Sequence, residues 1–443
     1  MPKKKTALTI EERLQQALVP AEEQPYEVPE NWVWVRLIGN VNSCLDGYRK
    51  PINSSERAKR LGKVPYYGAT GQVGWIDDYL TNEHLVLLGE DGAPFLDLLK
   101  DKAYIIFGEA WVNNHAHILK SYFGEIGNVF LMHYLNMVDY KDYVKGTTRL
   151  KLTQGSMQLM PFPLPPLSEQ QRIVERIEEL FAKLDEAKER LQEGAYSFAV
   201  RKAAILHKAF TGELTKQWRR ENGVSDESWE EVSLKELSSV IGDGLHGTPV
   251  YSENGDYYFI NGNNFDDSFI AIKESTKRVS IEEYKKYAVN LNDNTVFLSI
   301  NGTLGKTAFY NGEPVILGKS ACYINVGEKL DKRFLKEMFH TNAFINYANQ
   351  KATGSTIKNL GLKAIREYLV PLPSLPEQHE IVRLIDDLLA RERAAQQAAE
   401  QALASIDLMK KSILARAFRG ELGTNKASEA SALELLKQVL AEN

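Results

Sequence analysis

The feature that most constrains this 443-residue chain is an internal repeat at a constant offset. The segment Pro163-Leu-Pro-Pro-Leu-Ser-Glu-Gln170 returns 208 residues later as Pro371-Leu-Pro-Ser-Leu-Pro-Glu-Gln378. The other matches at this offset are Ile205–Leu214 with Ile413–Leu422, and Gly146-Thr-Thr with Gly354-Ser-Thr. One offset kept over roughly seventy residues exceeds what shared composition produces. We therefore interpret the chain as a duplication with internal pseudo-twofold symmetry.

Both matching blocks predict long helices. Ser168 with Gln171, and Ser374 with Glu377, have capping-box spacing after proline-rich segments that hold the chain extended. Apolar residues then follow at alternating steps of four and three, the pattern of a coiled-coil seam. The seam positions are Ile173, Ile177, Leu180, Leu184, Leu191, Ile381, Ile385, Leu388, Ile406 and Ile413. Each helix should end near Gly212 or Gly420, because glycine is common just past a helix carboxyl end.

A single long amphipathic helix cannot bury its apolar stripe alone. We therefore expect the two helices to pack on each other as an antiparallel coiled coil, the alternative being that each lies in its own bundle. At a rise of ~1.5 Å per residue, a helix of roughly forty-odd residues is a rod of ~65 Å.

The blocks between the helices predict α+β domains with much antiparallel strand. They contain short β-prone runs, such as Tyr104–Phe107 and Val296–Ile300, and frequent Asp-Gly and Asn-Gly turns. The predicted organisation is an N-terminal helix and linker (1–30), a first domain (31–160), a central spacer helix (161–215), a second domain (216–370), a C-terminal spacer helix (371–423) and a tail helix (424–443). Within 1–30, Thr9 and Glu12 have the spacing of a helix cap.

Composition excludes several classes of protein. Cys44 and Cys322 are the only cysteines, so we expect no disulfide framework and a cytoplasmic location. The apolar stretches are too short to span a bilayer, and the residues after Lys3–Lys5 are too polar for a signal peptide.

Motifs for catalysis or metal binding are weak. Gly302–Thr307 resembles a phosphate-binding loop, but Ile300 stands where that motif needs glycine. Asp139-Tyr-Lys141 matches a nuclease pattern that is common by chance. His115 and His117 could begin a metal site, yet no third ligand has a recognisable spacing. The sequence therefore predicts no catalytic residue and no metal site.

Basic residues, by contrast, are clustered. The net charge of −5 argues weakly against a protein that coats nucleic acid by total charge. Six cations nevertheless lie within Arg49–Lys63 beside tyrosines, and the second domain has further Lys, Asn and His residues near glycine turns. Such stretches suit phosphate contact and base-edge readout, although a solvated face is an equal alternative for any one cluster.

The whole pattern resembles the specificity subunit of type I restriction–modification systems. The resemblance rests on the two Pro-Leu-Pro-x-Leu-x-Glu-Gln segments and on the helix endings Ala209–Leu214 and Ala417–Leu422. The lead-in Pro25–Leu37 and the segments Tyr66–Gly71 and Ile300–Lys306 are also similar to segments of that family.

This resemblance implies that each variable block is a target recognition domain that reads half of a bipartite, asymmetric DNA site. The paired helices would set the gap between the halves. The implied partners are double-stranded DNA, two modification subunits that methylate adenine N6, and restriction subunits. S-adenosylmethionine would be bound by the modification subunit and no cofactor by this chain. The resemblance also implies that the two chain ends lie close together.

The candidate DNA contacts are Arg49, Lys50, Arg57, Lys59, Arg60, Lys63, Tyr66, Tyr67, His246, Asn263, Asn264, Asn301 and Lys306. Two other functions stay open at this point: a coiled-coil scaffold whose domains bind ligands other than DNA, and a nuclease or methyltransferase without a recognisable motif.

Overall fold

The computed structural model describes residues 9–354 and 356–442, which form two compact units. Unit 1 comprises the residues up to 192 together with those from 400 onward, and unit 2 comprises residues 193–399. In the described part of the chain, no helix is both long and apolar enough to cross a membrane.

The elements alternate between short strands and helices in both halves of the chain. The first half contains α1 (Ile10–Ala17), β1 (Val33–Arg36), β2 (Asn42–Cys44), α2 (Ser54–Arg57), β3 (Val64–Gly68), β4 (Gly71–Ile76), β5 (Thr81–Asn82), β6 (Leu85–Gly89), β7 (Ala103–Ile106), β8 (Glu109–Val112), β9 (Ala116–Ser121), α3 (Gly124–Met137), β10 (Val144–Lys145), β11 (Lys151–Leu152), α4 (Gln154–Leu159), β12 (Pro161–Leu164), α5 (Leu167–Tyr196) and α6 (Phe198–Phe210).

The second half contains α7 (Lys216–Glu221), β13 (Glu230–Ser233), β14 (Ser238–Asp243), β15 (Tyr257–Ile260), β16 (Phe265–Asp266), β17 (Phe269–Ile270), β18 (Arg278–Val279), α8 (Ile281–Tyr287), β19 (Thr295–Ser299), β20 (Thr307–Phe309), β21 (Val315–Leu317), β22 (Ala321–Val326), α9 (Lys332–Phe339), α10 (Asn342–Lys351), α11 (Leu362–Arg366), β23 (Leu369–Leu372), α12 (Leu375–Phe418) and α13 (Ala432–Glu442). Short 3₁₀ helices lie at Ala21–Glu23, Asp46–Tyr48 and Gly262–Asn264.

The two domains between the long helices share one topology, although the sequences of these two blocks differ. The larger sheet has the order β2-β9-β6-β7 in the first domain and β14-β22-β19-β20 in the second. In the smaller sheet, β3 pairs antiparallel with β4 and parallel with β8, and β15 pairs likewise with β18 and β21. The prediction of antiparallel strands therefore omitted one parallel pair in each domain.

The apolar runs become central strands because both of their faces are covered. In β6, Val86 and Leu88 join a core cluster that includes residues of α3, while Leu85 and Leu87 join a second cluster on the other face. The equivalent strand β19 divides its side chains in the same way. Each domain is closed where its first and last strands pair, β1 with β12 and β13 with β23.

The long helices pack antiparallel within each unit. In unit 1, Lys410 Nζ lies 2.6 Å from the carboxylate of Asp185, and the start of α5 shares a core with the end of α12. In unit 2, the guanidinium of Arg201 lies 2.6 Å from the carboxylate of Glu392. The helices end before Gly212 and Gly420, which adopt the left-handed backbone with φ of +75° and +73°.

The predicted central helix has a local irregularity at Ser197, between α5 and α6, where the backbone stays α-helical: the Ser197 amide donates to the Glu193 carbonyl and the Arg201 amide to the Ser197 carbonyl, both at 3.0 Å. Helix α12 runs for 44 residues. Of the seam positions, five are buried: Ile173, Ile177, Ile381, Ile385 and Ile406. The other five are half-buried: Leu180, Leu184, Leu191, Leu388 and Ile413.

The repeated Glu-Gln pairs have a different role from the predicted helix caps. Glu169 is fully buried and accepts hydrogen bonds from Trp32 Nε1 at 2.8 Å and Asn425 Nδ2 at 2.9 Å. Glu377, also fully buried, accepts from Thr215 Oγ1 and Arg219 Nη1, both at 2.7 Å. Each glutamate thus ties the start of one long helix to the segment that follows the end of the other.

The capping boxes predicted for the two long helices, Ser168 with Gln171 and Ser374 with Glu377, are therefore wrong in part. Helix α5 begins at Leu167, so Ser168 lies inside its first turn and donates to Glu429 at 3.0 Å. Ser374 does immediately precede α12, but Glu377 is occupied by its buried contacts.

The first and last described helices lie together. Arg13 Nη1 of α1 donates to the Leu440 carbonyl of α13 at 2.6 Å, and α13 adds Leu436 and Leu440 to the core of unit 1. The predicted capping box of Thr9 with Glu12 is confirmed, as is the proximity of the two ends of the described chain.

Candidate nucleic-acid interface

One end of the first domain gathers loops from distant parts of the sequence. The loop after β3 packs against Gly89, where an added Cβ would lie 3.1 Å from the Ala69 carbonyl oxygen. Asp91, after β6, contacts both His115 Nδ1 at 2.6 Å and Arg149 at 2.8 Å. We name this surface, formed by residues 68–71, 89–92, 113–116 and 146–151, the loop end of domain 1.

The second domain has the equivalent loop end, formed by residues 261–264, 299–306, 318–320 and 353–359, of which Ser355 lies outside the described residues. The Gly262 amide donates to Ser320 Oγ at 3.0 Å, and Gly302 donates to the Lys358 carbonyl at 2.9 Å. Asn301 Nδ2 donates to Asn359 Oδ1 at 3.1 Å. Asn and Lys side chains therefore line the loop end of domain 2, whereas the loop end of domain 1 has the ion pair of Asp91 with Arg149.

Arg49 is not available to DNA. Its guanidinium contacts Asp46 at 2.9 Å and also contacts Glu90, and its side chain is only 16% exposed. Burial favours a higher pKa for both carboxyls, but His117 beside Asp46, and Lys151 with Arg49 beside Glu90, hold each pKa below its usual value. Arg49 therefore neutralises buried carboxylates, and its selection as a DNA contact is corrected.

The other basic residues of the stretch Arg49–Lys63 lie against aromatic rings or are exposed to solvent. Arg57 lies over the ring of Tyr66 at 4.7 Å, and Arg60 lies over Trp111 at 4.6 Å while it also pairs with Asp77. Lys50 is exposed, with its Nζ 5.9 Å from the Trp111 ring centroid. Lys59 and Lys63 are exposed. These five residues form a basic surface beside the smaller sheet.

The two tyrosines of the first domain differ in burial. Tyr66 is 2% exposed and its hydroxyl faces Ile52, so it belongs to the core and its selection as a DNA contact is corrected. Tyr67 is half-buried against Tyr104, with ring centroids 5.9 Å apart, and burial raises its pKa. Its place in β3, directly before loop 68–71, puts it at the rim of the loop end.

In the second domain most candidates face solvent. Asn263 and Lys306 are exposed, and Asn301 is half-buried. His246 is 71% exposed, and its Nε2 lies 2.6 Å from Asp243. Asn264 is the exception, because its side chain accepts from the Asn261 amide and donates to the Ala271 carbonyl. Asn264 therefore holds a turn, and its selection as a base reader is corrected.

Further basic residues, which were not candidates from the sequence, lie at the two loop ends. Lys319 is exposed in the loop 318–320, and Lys358, also exposed, reaches Asn349 Oδ1 at 2.5 Å. In the first domain, Arg149 occupies the corresponding final loop. No local motif marks these positions, because only the sheet topology brings the loops together.

His117 has neighbours that its sequence spacing did not reveal. The ligand atoms of Cys44, Asp46 and His117 all lie within 4.8 Å of one another, although more than seventy positions separate the first and last in sequence. His115, two residues away, instead pairs with Asp91 at the loop end.

Comparison with known proteins places the chain among restriction specificity proteins. A family described as the type I restriction modification DNA specificity domain matches residues 29–193 and 226–402. The chain is 24% identical, over 94% of its length and 96% of the relative, to the EcoDI specificity subunit of a type I restriction enzyme from Escherichia coli.

Solved structures share the fold. The HsdS subunit from Thermoanaerobacter tengcongensis superposes with a TM-score of 0.58 at 18% identity, covering 90% of this chain and all of the other. A chain from a structure on complex assembly and conformational transition of the type I R-M system gives a TM-score of 0.57, with the same identity and coverage.

Proposed function

The chain belongs to the type I restriction–modification DNA specificity family, and from that premise we propose that its two loop ends are the surfaces that read DNA. It is a specificity subunit, the DNA-recognition component of a multi-subunit complex. The scaffold alternative is therefore set aside. The observation that carries the proposal is that two domains of one topology present different side chains at equivalent loops.

Domain 2 offers the sharper candidates for base readout. The amides of Asn263 and Asn301 suit the paired donor and acceptor of adenine in the major groove, each good contact giving ~1–3 kcal/mol of discrimination. Lys306, Lys319 and Lys358 carry the positive charge that phosphates require. Few acidic side chains oppose them at this end, which favours approach of a polyanion.

Domain 1 would contact the duplex differently. Its exposed cations Lys50, Lys59 and Lys63, with Arg57 and Arg60 lying over aromatic rings, would form a basic surface that contacts the DNA backbone. At its loop end, Arg149 is 60% exposed and can turn from Asp91 towards a base or a phosphate.

We propose that the duplicated helices dock two modification subunits, which carry S-adenosylmethionine and methylate adenine, and that restriction subunits join them in the cytoplasm. The specificity subunit would perform no chemistry itself. Since its net charge is −5, we expect tight DNA binding only when the partners contribute cations around the duplex.

Methylome sequencing of a host that carries this chain and its modification partner tests the proposal. With Asn301→Ala, we expect relaxed recognition at one position in one half of the methylated site, with the other half unchanged. Lys59→Ala in domain 1 is the matched control, and it should weaken methylation without altering the sequence read. If Asn301→Ala changed neither half, domain 2 would not read bases through this loop.

A further inference from the structure

Three side chains of types that can bind a metal ion meet in domain 1. Cys44 ends β2, Asp46 begins the 3₁₀ helix that follows, and His117 lies on the neighbouring strand β9. Their ligand atoms all lie within 4.8 Å of one another, and the His117 side chain is only 2% exposed. Thiolate, imidazole and carboxylate are the donor set that zinc prefers in proteins.

The ring of His117 is oriented as a metal ligand requires. Its Nε2 lies 2.9 Å from the Leu152 carbonyl oxygen, which can only accept, so Nε2 carries a hydrogen. Nδ1 lies 2.6 Å from Asp46 Oδ2, so it also carries a hydrogen and donates it to this carboxylate, and that hydrogen must leave for a metal to bind at Nδ1. A backbone carbonyl that holds the second ring nitrogen is the usual support of a metal-bound histidine.

A fourth donor and compensating charges are close. Glu90 Oε2 lies 3.9 Å from His117 Nδ1. The carboxylates of Asp46 and Glu90 are paired with Arg49 and Lys151, at 2.9 Å and 2.8 Å. A divalent ion would therefore enter a set of ion pairs, and the protons lost to solvent from the Cys44 thiol and from His117 Nδ1 would offset its two charges.

We propose that Cys44, Asp46 and His117 bind one zinc ion, with Glu90 or a water molecule as the fourth ligand. Ligand bonds of about 2.0–2.3 Å place tetrahedral donors about 3.3–3.8 Å apart, so the Asp46 to His117 contact opens by about 1 Å on binding. The ion would join β2, β9 and the segment after β6, and so fix the strand ends that lead into the loop end of domain 1.

The second domain serves as an internal control. Its strand registers place Ile241, Asp243 and Cys322 where the first domain has Cys44, Asp46 and His117. The nearest histidine found there by hydrogen bonding, His246, is an exposed partner of Asp243. Among the described residues, the cluster in domain 1 brings three such ligand atoms together, whereas the equivalent strand positions of domain 2 do not.

Cobalt titration of the full chain, stripped with a chelator, tests this site. Wild type should bind one Co²⁺ per chain, with the near-ultraviolet absorption of a thiolate-to-cobalt bond, and Zn²⁺ should displace it. Cys44→Ser should lose this absorption, and His117→Gln should weaken binding at least about tenfold. The matched controls Cys322→Ser and His115→Gln should behave as wild type.

A second measurement needs no variant. Zn²⁺ should protect Cys44 of the wild-type chain from alkylation, as read by mass spectrometry of its peptide. The proposal is overturned if saturating Co²⁺ gives no thiolate band in wild type, if the band survives in Cys44→Ser or disappears in Cys322→Ser, or if Zn²⁺ leaves Cys44 alkylation unchanged.

Discussion

The two buried glutamates of the repeat should differ in what they contribute to stability. Glu377 faces a cation, since its carboxylate lies 2.7 Å from Arg219 Nη1 and the two side chains are 0% and 5% exposed. Glu169 occupies the same repeat position but accepts from neutral donors, Trp32 and Asn425. The amide substitutions Glu377→Gln and Glu169→Gln therefore form a matched pair.

The magnitudes follow from what each substitution leaves buried. Arg219→Met leaves the Glu377 carboxylate with only the Thr215 hydroxyl, and loss of one partner of a buried ion pair costs about 3–5 kcal/mol. Glu377→Gln should cost about 1.5–3 kcal/mol, because Arg219 keeps Asp226 at 3.0 Å. Glu169→Gln should cost about 1–2 kcal/mol, since only neutral donors lose a charged acceptor.

Hydrogen exchange read by mass spectrometry is the suitable assay, because a chain of two units need not unfold in one step. Peptides over residues 212–230 report on the Glu377 site, and peptides over 420–432 report on the Glu169 site. The double variant Glu377→Gln with Arg219→Met should cost at least about 1.5 kcal/mol less than the sum of the single variants. Additive losses would refute the assignment of a buried ion pair between Glu377 and Arg219.

Three further predictions concern the gap, the phosphate contacts and acid stability. Insertion of four residues near Ala187 adds ~6 Å of helix, so methylome sequencing should show a gap widened by about two base pairs with both half-sequences kept; an unchanged gap would contradict a spacer role. Lys306→Ala should weaken binding of the whole complex uniformly and reduce the slope of log affinity against log salt by about 1, whereas a sequence-dependent loss would make Lys306 a base reader. Burial lowers the pKa of His133 to about 4, so the folded state favours the neutral imidazole. The contribution of this side chain to the free energy of unfolding is therefore complete above about pH 6.5, and it falls by up to about 3 kcal/mol as the pH drops to 4. Urea titrations followed at both pH values should show that His133→Phe removes this part of the loss, and an unchanged pH profile would exclude His133 as its source.

The helices of the repeat could be predicted from the sequence, whereas the exposed residues of the two domains could be predicted only in part. Gly212 and Gly420 marked the helix ends because a left-handed residue is a local requirement of the backbone. Tyr66 and Arg49 were mistaken for surface residues because burial depends on what packs around them. A tyrosine beside lysines in sequence can still point into a core, and an arginine in a basic run can meet carboxylates from other segments, such as Glu90.

The local irregularity at Ser197 was equally beyond the sequence pattern. The seam positions predicted for this helix end at Leu191, before that point, and no proline signals an irregularity there. Likewise, His117 lacked a metal partner by spacing, because its neighbours Cys44, at the end of β2, and Asp46, in the 3₁₀ helix that follows, lie more than seventy residues earlier.

The sequence by itself determined the duplication, the two long helices and the class of protein. These features rest on interactions that repeat along the chain: apolar periodicity, glycine at helix ends, and a motif that recurs at one offset. Only the tertiary structure decided that the two unalignable domains share one topology, and which loops meet at the end of each. Backbone hydrogen bonds fix the order of the strands with little regard to side-chain identity, so loop residues can differ completely between the domains while the sheets that hold them stay the same.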